Sequence, residues 1–447
     1  MKIVIKGAGD LATGIASRLY RAGHQIAMTE IAVPLTVRRS VALSRAVYEK
    51  EAVVEDLKGV LAEGQTEAEE ILRKGEIPIL VDPEAEVRTW FQPDVLVDAI
   101  LAKKNLGTRI TDAPFVIGVG PGFYAGRDCH CVVETKRGHT LGSVIWEKAA
   151  IPNTGVPGNV GGFTTERLIR ASADGKMEPA AKIGDMVEKD QIVAYTGGKP
   201  VYAQMSGIVR GMLQSEVLVC KGLKIGDIDA RCCPEHCMTI SDKARSVGGG
   251  VLEAVSVFAQ IHHKYGIALL AAGESRRFGS DKLSEVYQGM PLYRHTLQKL
   301  EAFSSLPRVV VTARKDLARE ASVLGIHIAE NRHPELGISH SVALALEELL
   351  LQDPELEGVL FLVCDQPQIQ VSTIQKLLKE GCFHKNSIVC AGCKGHRGNP
   401  VLWGRGYFHE LRALSGDTGG RQLMQKYDDA IRIVECEPQE LNCLLYT

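Results

Sequence analysis

The 447-residue chain is 45% hydrophobic and 24% charged, with a formal net charge of −2, an ordinary balance for a globular protein with room for about two to four domain cores. So even a charge argues against broad nucleic-acid or membrane-surface binding, both of which need a basic face, and no apolar run approaches the roughly 20 residues of a membrane span. The 12 Cys are scattered along a long chain and the start, MKIVIKGAGD, carries no signal-peptide apolar region, so a reduced, cytoplasmic setting is expected.

Residues 1–106 read as a Rossmann-like α/β domain. A short apolar run, IVIK, leads into GAGDLATG and then into helical spacing closed by Gly23. HQIAMTE, IPILVD and VLVDAIL add further strands, and strands alternating with helices imply a mostly parallel sheet. The glycine turn has the dinucleotide-binding layout, with Ala12 in place of the third glycine. Gly7 and Gly9 would let the backbone approach a diphosphate, and Glu30, ending the second strand, would accept ribose hydroxyls. An NAD-like or adenine nucleotide is the expected ligand. The alternative is a tight turn whose glycines serve only backbone geometry.

Residues 107–241 change texture to short apolar runs and many glycines, which predicts a β-rich middle domain. KIGD occurs twice, at 182–185 and 224–227, a hint of an internal repeat. DCHC at 128–131 is expected to be a strand with alternating faces. CCPEHC offers Cys232, Cys233, His236 and Cys237 as ligands for a soft metal or for selenium or sulfur species, although the paired spacing of a structural zinc site is missing. Cys390 and Cys393 are expected to be buried as small hydrophobes instead. A helical linker is predicted over 242–264.

From 265 to 447 the chain returns to α/β, with strand candidates GIALLAA, RVVVTA, GVLFLVC, SIVCAG and AIRIVEC and a helix in SVALALEELLLQ. The first strand ends in AAGESRRFGSDKL. A strand feeding a glycine-rich turn gathers backbone N–H groups that suit phosphate oxygens. Gly273 and Gly279 allow close approach, and Arg276, Arg277 and Lys282 add positive charge. The order GxxxxGK[ST] of a P-loop is absent. Asp365, after GVLFLVC, would emerge at the sheet's carboxyl edge and is the best Mg²⁺ ligand candidate, with a helix N-cap as the alternative role. Asp417 is the second choice.

LAAGESRRFGSDKL resembles the signature of the molybdenum cofactor cytidylyltransferases within the MobA-like nucleotidyltransferases, with Phe278 where the family usually has Met. NRHPELGISHS, VCDQP, GNPVLW and SGDTGGRQLM follow in the family's order. The resemblance implies a Rossmann-like nucleotidyltransferase domain that transfers CMP from CTP to the molybdopterin cofactor with Mg²⁺. Leu270, Ala271, Ala272, Gly273 and Gly279 would form the nucleotide cradle, with Asn331 and Ser339 beside it. Arg277, Lys282 and Asp365 would be the catalytic residues, and Asp365 and Asp417 the metal ligands. A guanylyl- or sugar-nucleotide transferase of the same fold is the rival enzyme, and a non-catalytic carrier or chaperone is the rival from another class.

KGAGDLATGIASRLYRAG, GPGFYAGRDCHCVVETKRGHTLG, NTGVPGNVGGFTTERLIRA and ISDKARSVGGGVLEA resemble the YqeB-like proteins of the selenium-dependent molybdenum hydroxylase system. That resemblance, over residues 1–255, implies an accessory role toward an apo-molybdenum hydroxylase. VEKDQIVAYTGGKPVYAQMSGIVRGML looks like a biotinyl/lipoyl barrel-sandwich module, but Lys199 lacks flanking methionines, so a structural or docking element is expected rather than a swinging arm.

Overall fold

The structure is a computed structural model and describes residues 1–153, 155, 158–262, 264–273, 281–416 and 419–441. The chain forms two compact units, Met1–Val255 and Ser256–Thr447.

In the first unit, Lys2–Lys6 lies at the centre of a nine-stranded sheet. It pairs in parallel with Gln25–Glu30 on one side and Val95–Asp98 on the other. Ile3, Val4 and Ile5 are fully buried, as expected of a parallel strand covered on both faces. Ile77–Val81, Leu57–Ala62 and Glu51–Val54 extend the sheet beyond Gln25–Glu30. The other side continues through Phe115–Val119, Cys131–Val133 and Val144–Ile145.

That last extension corrects the expected boundary at 106. Three strands assigned from the sequence to a separate β-rich domain complete the first sheet, because Phe115–Val119 pairs in parallel with Val95–Asp98. DCHC is not an alternating strand either. Only Cys131 begins one, and Cys129 and Cys131 are both fully buried.

The antiparallel module begins at Leu168–Arg170. One four-stranded sheet runs Leu168–Arg170, Lys224–Asp229, Gly207–Met212, Met186–Val187; the other runs Lys199–Tyr202, Ile192–Thr196, Gly175–Pro179, Leu218–Val219. Val193, Val209, Leu213 and Ile225 fill the space between them. The two KIGD copies do different work: one is the turn before Met186–Val187, the other lies in the strand Lys224–Asp229. Gly197 and Gly198, at φ +55° and +75°, make the two-residue turn that Ile192–Thr196 and Lys199–Tyr202 need. Lys199 is thus a strand residue paired with Thr196 rather than the tip of a loop.

The predicted linker is a helix, Asp242–His262, and its first half belongs to the first unit. Asp242 pairs with Arg137 at 2.7 Å and Arg245 with Glu55 at 2.6 Å. A Cβ added at Gly14 would stand 2.5 Å from Ala244 Cβ, and one at Gly248 would stand 2.6 Å from the Gly14 carbonyl. Two glycines therefore let this helix press against Asp10–Arg21.

The second unit contains a seven-stranded sheet, ordered His327–Glu330, Arg308–Thr312, Tyr265–Leu270, Gly358–Val363, His396–Gly404, Ile388–Cys393, Ile431–Glu435. The first four strands are parallel and His396–Gly404 is antiparallel to both neighbours. The helix Ile338–Gln352 packs its Val342, Ala345, Leu346 and Leu349 on the sheet. Among the described residues, no helix is long and apolar enough to cross a membrane.

Candidate active site

In the second unit the central strands Tyr265–Leu270 and Gly358–Val363 end together, in register, with Leu270 opposite Val363. The backbone just past Leu270 is pinned from both sides. Ala271 N–H donates to the Val311 carbonyl at 2.9 Å, Cys364 N–H donates to the Leu270 carbonyl at 3.1 Å, and Thr312 Oγ1 donates to the Ala271 carbonyl at 3.3 Å. Ala271 is buried, Ala272 half-buried and Gly273 exposed. A Cβ at Gly273 would meet nothing within 4 Å, so the fold does not demand glycine there. Open space at that point suits a ligand lying close to the backbone. Arg277, Gly279 and Asp417 lie outside the described residues.

Lys282 and Asp365 come together across 83 positions of sequence. Lys282 Nζ donates to Asp365 Oδ2 at 2.7 Å. The lysine is 5% exposed, whereas the aspartate side chain keeps 34% of its surface. The turn after Asp365 is braced from below: Lys299 Nζ donates to the Pro367 carbonyl at 2.5 Å and Thr296 Oγ1 to the Gln366 carbonyl at 3.4 Å. Burial lowers the Lys299 ammonium to about 8. Sequence reasoning missed Lys299, which sits in an unremarkable amphipathic helix, Leu292–Lys299.

Asn331 and Ser339, expected beside the nucleotide, are spent on the chain itself. Asn331 is fully buried, its Nδ2 donating to Ser341 Oγ and its Oδ1 accepting from His333 N–H. Ser339 Oγ donates to the Gly416 carbonyl at 2.7 Å. The Ser339 bond ties the turn at 416 to the start of the helix Ile338–Gln352.

Residues of GNPVLW and of the stretch 419–424 line one cavity of about 640 Å³. Leu270, Phe361, Val363 and Trp403 supply apolar wall, and His396, Asn399 and Arg421 supply polar groups. Gly420 matters to its shape: a Cβ there would lie 2.3 Å from the Trp403 ring. Cys390 is buried and Cys393 half-buried, both in the strand Ile388–Cys393.

Other expected sites assemble less well. Cys233 Sγ faces Glu235 at 2.9 Å, Cys237 is fully buried against the Val209 carbonyl, and Cys232 is exposed. Among the described residues no group of three or more His, Cys, Asp or Glu is placed to hold a metal. The CCPEHC thiols point to separate partners, so a shared soft-metal centre is not formed.

The N-terminal turn has the expected strand–turn–helix form, Lys2–Lys6 to Asp10–Arg21. Gly7 needs to be glycine, at φ +95° with a Cβ position 3.0 Å from the Ala99 carbonyl. Gly9 does not, since its Cβ would make only ordinary contact with Thr36 Oγ1 at 3.4 Å. Glu30 is half-buried and holds the turn itself. Its carboxylate accepts from Ala8 N–H and Ile31 N–H, each at 3.0 Å, and burial raises its pKa. Lys6 is buried, its Nζ donating to Thr108 Oγ1 at 3.1 Å, and is withdrawn from any phosphate at the turn.

Residues 267–431 match the model of the MobA-like NTP transferase domain. The second unit therefore carries a nucleotidyltransferase fold of that kind. Over 165 residues, 37% of this chain, the sequence is 29% identical to a probable molybdenum cofactor guanylyltransferase of Pyrococcus horikoshii, covering 80% of that protein. A stretch of 253 residues, 57% of this chain, is 48% identical to the uncharacterized protein YqeB of Escherichia coli strain K12. The chain spans about half of that relative's length, 47%. Among solved structures, Rv0371c of Mycobacterium tuberculosis H37Rv aligns over 39% of this chain and 88% of its own, at 22% identity and a TM-score of 0.33.

Proposed function

We propose that the second unit transfers CMP from CTP to the terminal phosphate of the molybdopterin cofactor, forming the cytosine dinucleotide and releasing pyrophosphate. The observation that carries this reading is convergence. The Lys282–Asp365 pair, the open Gly273 and the cavity walled by Phe361 and Trp403 all lie at the carboxyl end of Tyr265–Leu270 and Gly358–Val363. Two phosphorylated molecules must meet there, so positive charge and a dry wall for a flat ring are both needed.

Asp365 fits a divalent cation of the Mg²⁺ type. Such ions are held through one or two carboxylates and completed by substrate phosphates, and Asp365 is a partly exposed carboxylate at a strand end. When bound, the ion would neutralise phosphate charge as the displacement proceeds. Lys282 orients the carboxylate and adds its own charge. Arg277, Gly279 and Asp417 enter the proposal through the motif resemblance.

CTP is preferred as donor because Ala272, half-buried against the sheet core, puts a methyl where LAGG-type relatives have none, favouring the smaller pyrimidine. A second reading, GTP as donor, is favoured by the function named for the Pyrococcus relative. The first unit would be an accessory module acting toward an apo-molybdenum hydroxylase. The test is competition between α-labelled CTP and GTP with full-length protein and molybdopterin. Label entering the pterin product from CTP supports the first reading, and label from GTP alone the second. No label from either would leave a carrier or chaperone.

A further inference from the structure

The first unit holds a cavity of about 440 Å³ lined mostly by residues outside any glycine motif. It lies where the parallel strands end: Asp10 and Leu11 follow Lys2–Lys6, Pro121 follows Phe115–Val119, and Thr135 and Lys136 follow Cys131–Val133. The antiparallel module closes the opposite side through the strands Gly207–Met212 and Lys224–Asp229. Seven basic side chains face two carboxylates, Asp10 and Asp227, in its lining. Open α/β sheets bind ligands at this edge.

Much of the charge is balanced by the chain. Arg38 reaches Asp10 at 3.3 Å, Arg167 reaches Asp227 at 2.7 Å, and Arg210 reaches Asp229 at 3.1 Å. The remainder is not. Among the described residues, neither Lys136 nor Lys243 has a carboxylate within ion-pair distance. Arg38, Arg167 and Arg210 are 6, 9 and 6% exposed, and each keeps a buried Nε with no hydrogen-bond partner. The lining thus keeps more positive than negative charge, with Lys136 exposed and Lys243 half-buried at the cavity and without an ion-pair partner among the described residues, which suits an anionic ligand. Two helix N-termini, Asp10–Arg21 and Asp242–His262, open on the same space and add positive potential.

The wall is built in advance. Glu134 is 1% exposed, and its carboxylate accepts from the N–H groups of Thr135 at 2.7 Å, Lys136 at 2.8 Å and Ile151 at 2.8 Å. That grip fixes the turn that carries Lys136. Apolar lining from Leu11, Ile151 and Val160 gives an organic portion somewhere to lie.

We propose that this cavity is a second ligand site, for a small organic diphosphate, with Lys136, Lys243, Arg38, Arg167 and Arg210 as its recognition groups. A single phosphate would leave part of the positive surface unanswered, and the volume exceeds that of a bare anion. The site adjoins the end of the GAGDLATG turn through Asp10 and Leu11, but Gly7 and Gly9 do not line it, and Glu30 already occupies the Ala8 amide.

The test maps the site on the full-length protein at physiological salt, with inorganic pyrophosphate as probe. Lysines are acetylated with and without millimolar pyrophosphate, and each rate is read by peptide mass spectrometry. Protection of Lys136 and Lys243 that persists in Asp365→Asn supports the proposal, since that variant alters the candidate site of the second unit and leaves this cavity as it is. Calorimetry on the Lys136→Met/Lys243→Met variant should then show affinity lower by at least about tenfold, as expected for lost hydrogen bonds from charged donors. Both lysines lie at least partly in solvent, so the variant should fold. Unchanged acetylation of both lysines, or protection that vanishes in Asp365→Asn, would overturn it.

Discussion

On the proposed reading, Asp365 is the side chain of the second unit whose replacement matters most. Asp365→Asn keeps the shape and an oxygen that can accept from Lys282, but removes the charge that would hold a cation beside the phosphates. The expected outcome is a fall in nucleotidyl transfer of at least about a hundredfold, the scale of losing one electrostatic stabiliser, measured as pyrophosphate release. Because Asp365 is a third exposed, solvent screens much of the lost pairing, and circular dichroism should remain that of the wild type. Activity persisting at saturating Mg²⁺ would move the metal site, with Asp417 the next suspect. At Glu30 the sign runs the other way. Burial raises its folded pKa above the ordinary 4.5, so the folded state favours the protonated form. Its contribution to stability is full below that ordinary value and is lost as pH rises through the folded one. Glu30→Gln should remove this loss, and thermal midpoints followed from pH 4 to 7 should fall less in the variant, or rise more, than in wild type. Parallel curves would mean that Glu30 titrates alike in both states.

Between helices, the decisive residues are the smallest. Gly14→Ala would place a methyl 2.5 Å from Ala244 Cβ and 2.9 Å from the Ala244 backbone, which a packed pair of helices can relieve only by moving apart. A loss of about 1–3 kcal/mol is expected, the usual cost of overpacking, measured by urea denaturation. A loss below about 0.5 kcal/mol, as at an indifferent surface position, would show the helices free to shift. The sequence predicted this helix but not its packing: glycine disfavours helix interiors, and Gly248 is there so that two helices can touch. The apolar strands Lys2–Lys6, Gln25–Glu30, Tyr265–Leu270 and Gly358–Val363 were legible because complete burial leaves continuous apolar runs. Phe115–Val119 has such a run too, but Gly118 within it and Gly120 and Gly122 after it gave it the look of a small β element in a glycine-rich stretch, and pairing partners cannot be read from one strand. Lys282 and Asp365 were each legible as site candidates, from the glycine turn and the strand end, but their ion pair was not. Arg38, Lys136, Arg167, Arg210 and Lys243 were not legible as a group, since no local spacing links residues that only the fold assembles.

At the scale of the whole chain, each unit has its own sheet and its own enclosed core. Unit-level independence predicts that a fragment beginning near Ser256 folds and retains transferase activity within about threefold of the full chain, the spread usual for context effects on individual contributions. An inactive fragment beside an active full chain would mean that the first unit completes the reaction. Within the first unit, the antiparallel module is spliced in rather than added on. The chain leaves the nine-stranded sheet after Val144–Ile145, and the helix beginning at Asp242 packs back beside it, with Asp242 2.7 Å from Arg137 and Ser246 against Gly142. Exit and re-entry are thus neighbours, and the segment between them is a loop grown to the size of a domain. Such a loop can be shortened without rethreading the sheet, as surface insertions commonly can. Evolution could therefore have exchanged the lid of the cationic cavity while keeping its base, trading one ligand for another without rebuilding the domain that anchors it.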